Sequence, residues 1–215
     1  MKDTTRTSRT AGYLEKIFRA LNAHYFNGEL EEPIITIQST PRAYGHVTVS
    51  KTWSKGTQGE TRHELNIGAG TLDREIERVV ATMLHECVHL YCLQEGIKDT
   101  SRGGQYHNKN FRREAEARDL HIEYNDRIGW SITEPTDALI EFILSQGWNE
   151  IHMNRSEGLY IRGGGGASSG GIPPITPKPS HVRKYQCPCC GCSVRATREV
   201  HIACLDCGAP MELAT

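Results

Sequence analysis

His85-Glu86-Cys87-Val88-His89 places two imidazoles four residues apart, with a carboxylate one step after the first. Residues i and i+4 of a helix lie side by side, so two such histidines can take two corners of a zinc tetrahedron without backbone strain. The glutamate then faces a water on the metal rather than the metal itself. Zinc lowers the pKa of such a water to about 7, and a neighbouring carboxylate can take its proton as the water attacks a carbonyl. A third ligand is needed, and His107 stands where the chain has had room to reverse and bring a new helix start against the first helix. Phe111, one turn further on, would anchor that start in the core. Glu114 and Glu116 are the alternatives for the third ligand.

A second constellation lies near the end of the chain. Cys187-Pro-Cys-Cys190-Gly191 and Cys204-Leu-Asp-Cys207-Gly208 are two CxxC knuckles, each followed by glycine. Four thiolates in this pattern suit one closed, tetrahedral, structural zinc, and each glycine permits the tight turn that aims backbone amides at the sulfurs. Cys189 and Cys192 form a competing CxxC in another register, which the glycine-terminated knuckle disfavours. A ribbon this small has almost no core, so the metal should be what folds it.

Composition narrows the classes. The 215 residues are 37% hydrophobic and 24% charged, ordinary for a soluble globular protein. No apolar run approaches the roughly 20 residues needed to span a bilayer. The opening MKDTTRTSRTAGYL lacks the apolar stretch of a signal peptide, so the expected location is the cytoplasm. Of eight cysteines, six crowd between Cys187 and Cys207, which reads as metal binding by reduced thiolates rather than disulfides. The charge balance, 25 basic against 26 acidic residues, gives no overall electrostatic case for nucleic acid. Any attraction to phosphate would come from Lys178, Arg183, Lys184, Arg195 and Arg198 in the tail, a small cluster of the kind more often found on a solvated face.

The elements that must position the first constellation follow from periodicity. Thr71 to Gly96 reads as one helix, with Thr71 as N-cap, Asp73 in the first turn and Gly96 as the stop. Ile76, Val79, Val80, Met83, Cys87, Leu90 and Tyr91 form its core stripe, while His85 and His89 lie opposite, in line with Arg78 and Thr82. Residues 11–26 predict a helix with Leu14, Ile17, Phe18 and Leu21 inward, closed by an Asn27-Gly28 turn. Three strands are expected at 33–38, 44–49 and 63–68, with a loop at 55–59. The third is the expected edge strand, where an extended peptide would be held by strand addition. His46 and His63, on these strands, read as structural or merely exposed. A polar loop follows Gly96, then a helix from about Arg112. Residues 136–148 predict an amphipathic helix followed by a short strand, with Trp130 and Trp148 as core aromatics. Gly163 to Ser180 is a linker by composition, glycine–serine then proline-rich.

With these residues assembled, the chain resembles the SprT-like family of zincin metalloproteases, to which the Spartan DNA–protein-crosslink proteases belong. The likeness covers most of residues 11–122: Tyr25-Phe26-Asn27-Gly28-Glu29-Leu30 after the first helix, the short sheet, His85-Glu86-x-x-His89, and His107-x-x-x-Phe111. It implies that the three histidines hold zinc and that Glu86 is the catalytic base. Bacterial SprT proteins also carry a four-cysteine ribbon, whereas Spartan proteins have other tails, so a crosslink-repair role transfers less well than the chemistry. Metzincins and thermolysin-like enzymes fit less well, because Cys92, Glu95 and Lys109 stand where their motifs need other residues.

The expectation is an α+β protein: a zincin-like metalloprotease domain at 11–160, helices around a small sheet, and a β zinc ribbon at 183–213. One catalytic and one structural Zn2+ are implied. The expected activity is endopeptidase cleavage of protein substrates, DNA-associated proteins among them, with DNA a candidate partner and no membrane. Tyr106, Arg112 and Arg113 are candidates for stabilising the oxyanion. The alternative is a nucleic-acid-binding adaptor on a zincin scaffold, and a third reading makes the ribbon a protein-docking module.

Overall fold

The computed structural model describes residues 7–39, 43–55, 59–155, 183–196 and 198–213, which belong to two units, one within Met1–Gly166 and one within Ala167–Thr215. The expected linker at 163–180, with Lys178, lies outside the described residues.

In the first unit, helix α1 (Thr7–Tyr25) buries Leu14, Ile17, Phe18 and Leu21, the stripe its periodicity predicts. Asn27 and Gly28 both adopt positive φ at the turn that follows. Buried Asn22 holds this turn by exchanging side-chain bonds with the backbone of Leu30, at 3.0 Å and 3.1 Å. Strands β1 (Ile34–Gln38), β2 (Gly45–Val47), β3 (Trp53–Lys55), β4 (Glu60–Arg62) and β5 (Glu64–Gly68) come next. They form a β1-β5-β2 sheet and a separate β3–β4 hairpin, which spans the expected loop. The order corrects one expectation: β5 lies at the centre, parallel to β1 and antiparallel to β2. The reason is burial, since Leu65 to Gly68 are all buried, a pattern that suits a strand covered on both faces. Beside the histidine helix, the edge of this sheet is β2.

That helix, α2, runs Ile76–Gln94 rather than starting at Thr71. A 3-10 turn, Ala69–Thr71, intervenes. Thr71 donates its hydroxyl proton to the Gly68 carbonyl at 3.0 Å instead of capping the helix, because β5 feeds directly into that tight turn. The C-terminal expectation holds. Gly96 takes φ 66°, and the Gly96 and Ile97 amides bond back to Leu93 and Cys92, closing a Schellman motif. The helix is buried almost all round, with Leu84, Val88 and Cys92 joining the expected stripe.

Beyond Gly96 the chain forms short strands β6 (Thr100–Ser101) and β7 (Tyr106–His107), helix α3 (Lys109–Glu116), strands β8 (Leu120–Asn125) and β9 (Gly129–Pro135), and helix α4 (Asp137–Gln146). The strands make one sheet in the order β6-β7-β9-β8. The Thr136 side chain caps α4 by accepting from the Leu139 amide. The expected strand after α4 is absent among the described residues. Residues 147–155 are irregular there, pinned by buried Ile151 and by the Arg155 amide donating to the Ala69 carbonyl. Trp130 and Trp148 pack against the core but are only half-buried.

The second unit is a three-stranded antiparallel sheet of β10 (Arg183–Gln186), β11 (Ser193–Ala196) and β12 (Glu212–Leu213), in the order β11-β10-β12. Among its described residues only Tyr185, Cys187 and Cys204 are buried. The fold class is α+β, and no described helix is long and apolar enough to cross a membrane.

Candidate metal centres

Three elements bring the histidines together. α2 carries His85 and His89 one turn apart, and β7 delivers His107 to face them just before α3 begins. The three Nε2 atoms are 3.2 Å (His85–His89), 3.2 Å (His85–His107) and 3.0 Å (His89–His107) apart. Nitrogens bonded at 2.0–2.1 Å around a tetrahedral zinc would stand about 3.3 Å apart, so the donor set fits that ion. Glu114 does not join them: its carboxylate is held by Arg113 and Arg118. Glu116 pairs with Arg112.

Each ring is aimed by a partner on its other nitrogen. Nδ1 of His85 bonds Thr133 Oγ1 at 2.7 Å, Nδ1 of His89 bonds Asp99 Oδ2 at 2.5 Å, and Nδ1 of His107 faces the Ile128 carbonyl at 3.3 Å. With Nδ1–H donating, every Nε2 presents a lone pair to the centre. Fully buried Phe111 lies beneath all three rings, with centroid distances of 4.5, 4.6 and 4.7 Å to His85, His89 and His107. Its role is therefore larger than anchoring α3. Burial and the neighbouring imidazoles hold the His85 pKa well below the usual histidine value, and burial leads in pushing His107 down to about 4. Both rings are neutral at pH 7, the form that ligates metal.

Backbone geometry places His107 and Glu86. Gly129, at φ 74°, pairs with His107 across β9 and β7, and a Cβ there would overlap the His107 carbonyl. Gly45 on β2 approaches the Glu86 carboxylate so closely that a Cβ would lie 3.1 Å from its Oε1. Glu86 is 5% exposed, and burial pushes its pKa up to about 7. A divalent cation beside it would favour the ionised form.

Asp99 and Thr133 are the site residues that sequence reasoning missed. Asp99 had a faint local signal, an acid ten residues after His89 in a short loop. Its position depends on α3: the Asn108 amide donates to the Asp99 carbonyl, and the Asn108 and Asn110 side chains both hold the Lys98 carbonyl. Thr133 is 48 residues from His85, beyond any local pattern. The candidate oxyanion donors have partners of their own. Tyr106 bonds the Tyr124 hydroxyl, Arg112 stacks on Trp130, and Arg113 pairs with Glu114. His46 is exposed, and buried His63 bonds the Thr48 carbonyl.

In the second unit the Sγ atoms of Cys187, Cys190, Cys204 and Cys207 all lie within 4.8 Å of one another. Thiolates at 2.3 Å from zinc would be about 3.8 Å apart, and Cys190 and Cys204 stand at 3.7 Å. Each knuckle is closed by its glycine: Gly191 bonds back to Cys187 and Gly208 to Cys204, both at positive φ. Backbone amides of Cys190 and Cys189 draw the Cys187 thiol down to about 7. Cys192 comes within 4.0 Å of Cys204 but stays outside the four-sulfur group, as does Cys189. Three of the basic candidates lie on the β10–β11 ladder. Lys184 and Arg195 are cross-strand partners sharing a face, whereas Arg183 pairs with Ala196 on the other.

The model of the SprT-like family matches residues 14–127, a span that holds most of α1, the first sheet, the three histidines and Glu86. No curated protein and no solved structure matches the chain. Because the matched span exceeds half of the 215 residues, the chain belongs to the SprT-like family.

Proposed function

We propose that the protein is a zinc-dependent endopeptidase with a zincin-like catalytic unit and a zinc-ribbon tail. The observation that carries this reading is the convergence of three imidazole Nε2 atoms at 3.0–3.2 Å beside a buried carboxylate that abuts a sheet edge. His85, His89 and His107 would hold the ion, which when bound supplies Lewis acidity to a peptide carbonyl and acidifies a water to a pKa of about 7.

The chain's own groups do the rest. Among the described residues β2 is an edge strand beside Glu86, so a substrate backbone can pair along it as an added strand. Gly45 keeps that edge close to the carboxylate. Glu86 takes the proton of the attacking water and later delivers it to the departing amide nitrogen, so no net proton is gained or lost at the carboxylate. Thr133, Asp99 and Phe111 hold the imidazoles in one tautomer and one orientation. Cys187, Cys190, Cys204 and Cys207 would hold a structural zinc, which requires a reducing compartment such as the cytoplasm.

The adaptor reading gives Glu86 no purpose. A carboxylate buried with its pKa raised to about 7 costs stability at neutral pH, and a scaffold gains nothing from it. The test is Glu86→Gln in the full chain, assayed on an unfolded protein and on a DNA-bound protein, with and without single-stranded DNA. Zinc content should be unchanged and cleavage should fall by about 10² to 10⁴. Absence of cleavage by the zinc-loaded parent under every condition would replace this reading with the adaptor.

A further inference from the structure

Just before α2 the chain carries a cation whose charge no described carboxylate answers directly. The Arg74 guanidinium stacks on the Tyr44 ring at 4.1 Å. Its Nε donates to the Thr71 carbonyl at 2.7 Å and its Nη2 to Thr82 Oγ1 at 3.0 Å. Among the described residues it makes no ion pair. The nearby acids are engaged: Asp73 accepts from Asn154 at 2.7 Å, and Glu134 is paired with Arg78 at 3.0 Å. Burial is the leading influence on the guanidinium and lowers its pKa to about 10, which leaves it charged at neutral pH. A partly desolvated cation bound only by neutral oxygens is an incomplete arrangement, because charge-assisted pairing with a carboxylate is where arginine gains most.

Its position gives the charge a use. Thr82 lies one turn before His85 and Glu86 on α2, a rise of about 5 Å. Tyr44 immediately precedes Gly45, the residue that touches Glu86 from the edge strand. It is 37% exposed, so the side of the stack away from the core is open among the described residues. Arg74 thus joins the helix that carries His85 and Glu86 to the edge along which a substrate would lie.

Resting on the peptidase reading, we propose that Arg74 determines specificity by receiving the carboxylate of a substrate aspartate or glutamate beside the bond that is cut. The substrate class is therefore a protein segment with an acidic residue flanking the scissile bond. Tyr44 holds the guanidinium plane, and Thr82 and the Thr71 carbonyl fix its rotation, leaving Nη1 to meet the incoming oxygens.

The test uses the full, zinc-loaded chain and mass spectrometry of the products from a mixed peptide library. It is followed by kcat/KM on matched peptides that differ only in Glu against Gln at the preferred position. The expected result is enrichment of Asp and Glu at one position next to the cut, and a Glu-over-Gln ratio of about 10 to 100, the range of a charge-assisted bond. Arg74→Gln should collapse that ratio towards one, Arg74→Lys should keep part of it, and Arg74→Glu should shift the enrichment to Lys and Arg. Equal cleavage of both peptides by the parent overturns this inference alone, and does so even if Arg74→Gln fails to fold. An Arg74→Gln protein that is slower on both peptides but keeps the parent's ratio also overturns it, since that is the behaviour of a structural arginine. A parent chain that cuts nothing overturns the peptidase reading, and this inference with it.

Discussion

The two candidate centres are held in place from opposite directions. Around the histidines, the geometry is made by the fold: buried Phe111 underlies all three rings, and Thr133, Asp99 and the Ile128 carbonyl aim them. Around the cysteines there is little fold to do the holding, because among the described residues only Tyr185 and two of the thiols themselves are buried. One candidate site is pre-organised by a core, which would suit a centre that keeps a position open for substrate. The other is a closed set of four ligands that must supply the folding energy itself. On the proposed reading, the chemistry sits where a core can hold buried groups in place, and the ribbon depends on its metal for its fold.

The sharpest way to break this contrast is to remove the metals. Replacing Cys204 by Ser should unfold the second unit, since zinc contributes on the order of 10 kcal/mol to domains of this kind. His107→Ala should leave the first unit folded while its zinc affinity drops by orders of magnitude, and Glu114→Ala should leave that affinity unchanged. Circular dichroism with zinc titration reads both effects. The parent should hold two zinc ions per chain and a chain ended at Gly163 one. Two ions in the shortened chain would mean the ligand sets are wrongly divided.

A smaller effect comes from the charge buried in the histidine centre. In the metal-free protein Glu86 holds its proton up to about pH 7 when folded, but loses it near 4.5 when unfolded. The folded state therefore binds more protons between those values, and stability falls as pH rises through that window, by about 3 kcal/mol in all. His107, with a folded pKa of about 4 against 6.5, acts in the other direction: its contribution is present above 6.5 and lost as pH falls towards 4. Glu86→Gln should remove the first dependence and keep the second. Denaturant midpoints of the metal-free variant should then rise from pH 4 to 6.5 and stay level. In the parent the two dependences oppose each other between pH 4.5 and 6.5, so its midpoints should rise less and fall only between pH 6.5 and 7. Identical profiles would show that the carboxylate is solvated rather than buried.

The smallest expected change belongs to Asp99→Asn, which keeps a hydrogen-bond acceptor for His89 but removes the charge. Loss of such a partner typically costs 10–100-fold in metal affinity. Competition with a chromophoric chelator should show that weakening in the first unit, with the ribbon's affinity untouched. No change would mean that Asp99 only braces its loop.

Whatever depends on residues a few positions apart could be read from the sequence. The i, i+4 spacing of His85 and His89 is a property of any helix, the CxxC-Gly knuckle is a property of any tight turn, and the core stripe of α1 follows from 3.6 residues per turn. The start of α2 was placed too early because Thr71 is a good cap in isolation, and only the path of β5 into a 3-10 turn shows its hydroxyl used elsewhere. The edge strand was misplaced for a related reason: alternation marks a strand, but its rank in a sheet depends on which neighbours cover it. Trp130 and Trp148 were expected in the core, yet aromatic character does not say which side of a sheet or helix meets solvent. What tertiary structure alone decided is the surroundings of the chemistry. Thr133 reaches His85 across 48 residues, Gly129 makes room for the His107 backbone, and Gly45 brings a sheet edge to Glu86. These meetings are set by the packing of β9 and β2 against α2 and by the pairing of β7 with β9. Each depends on pairing or packing between segments far apart in the chain, which no local spacing records.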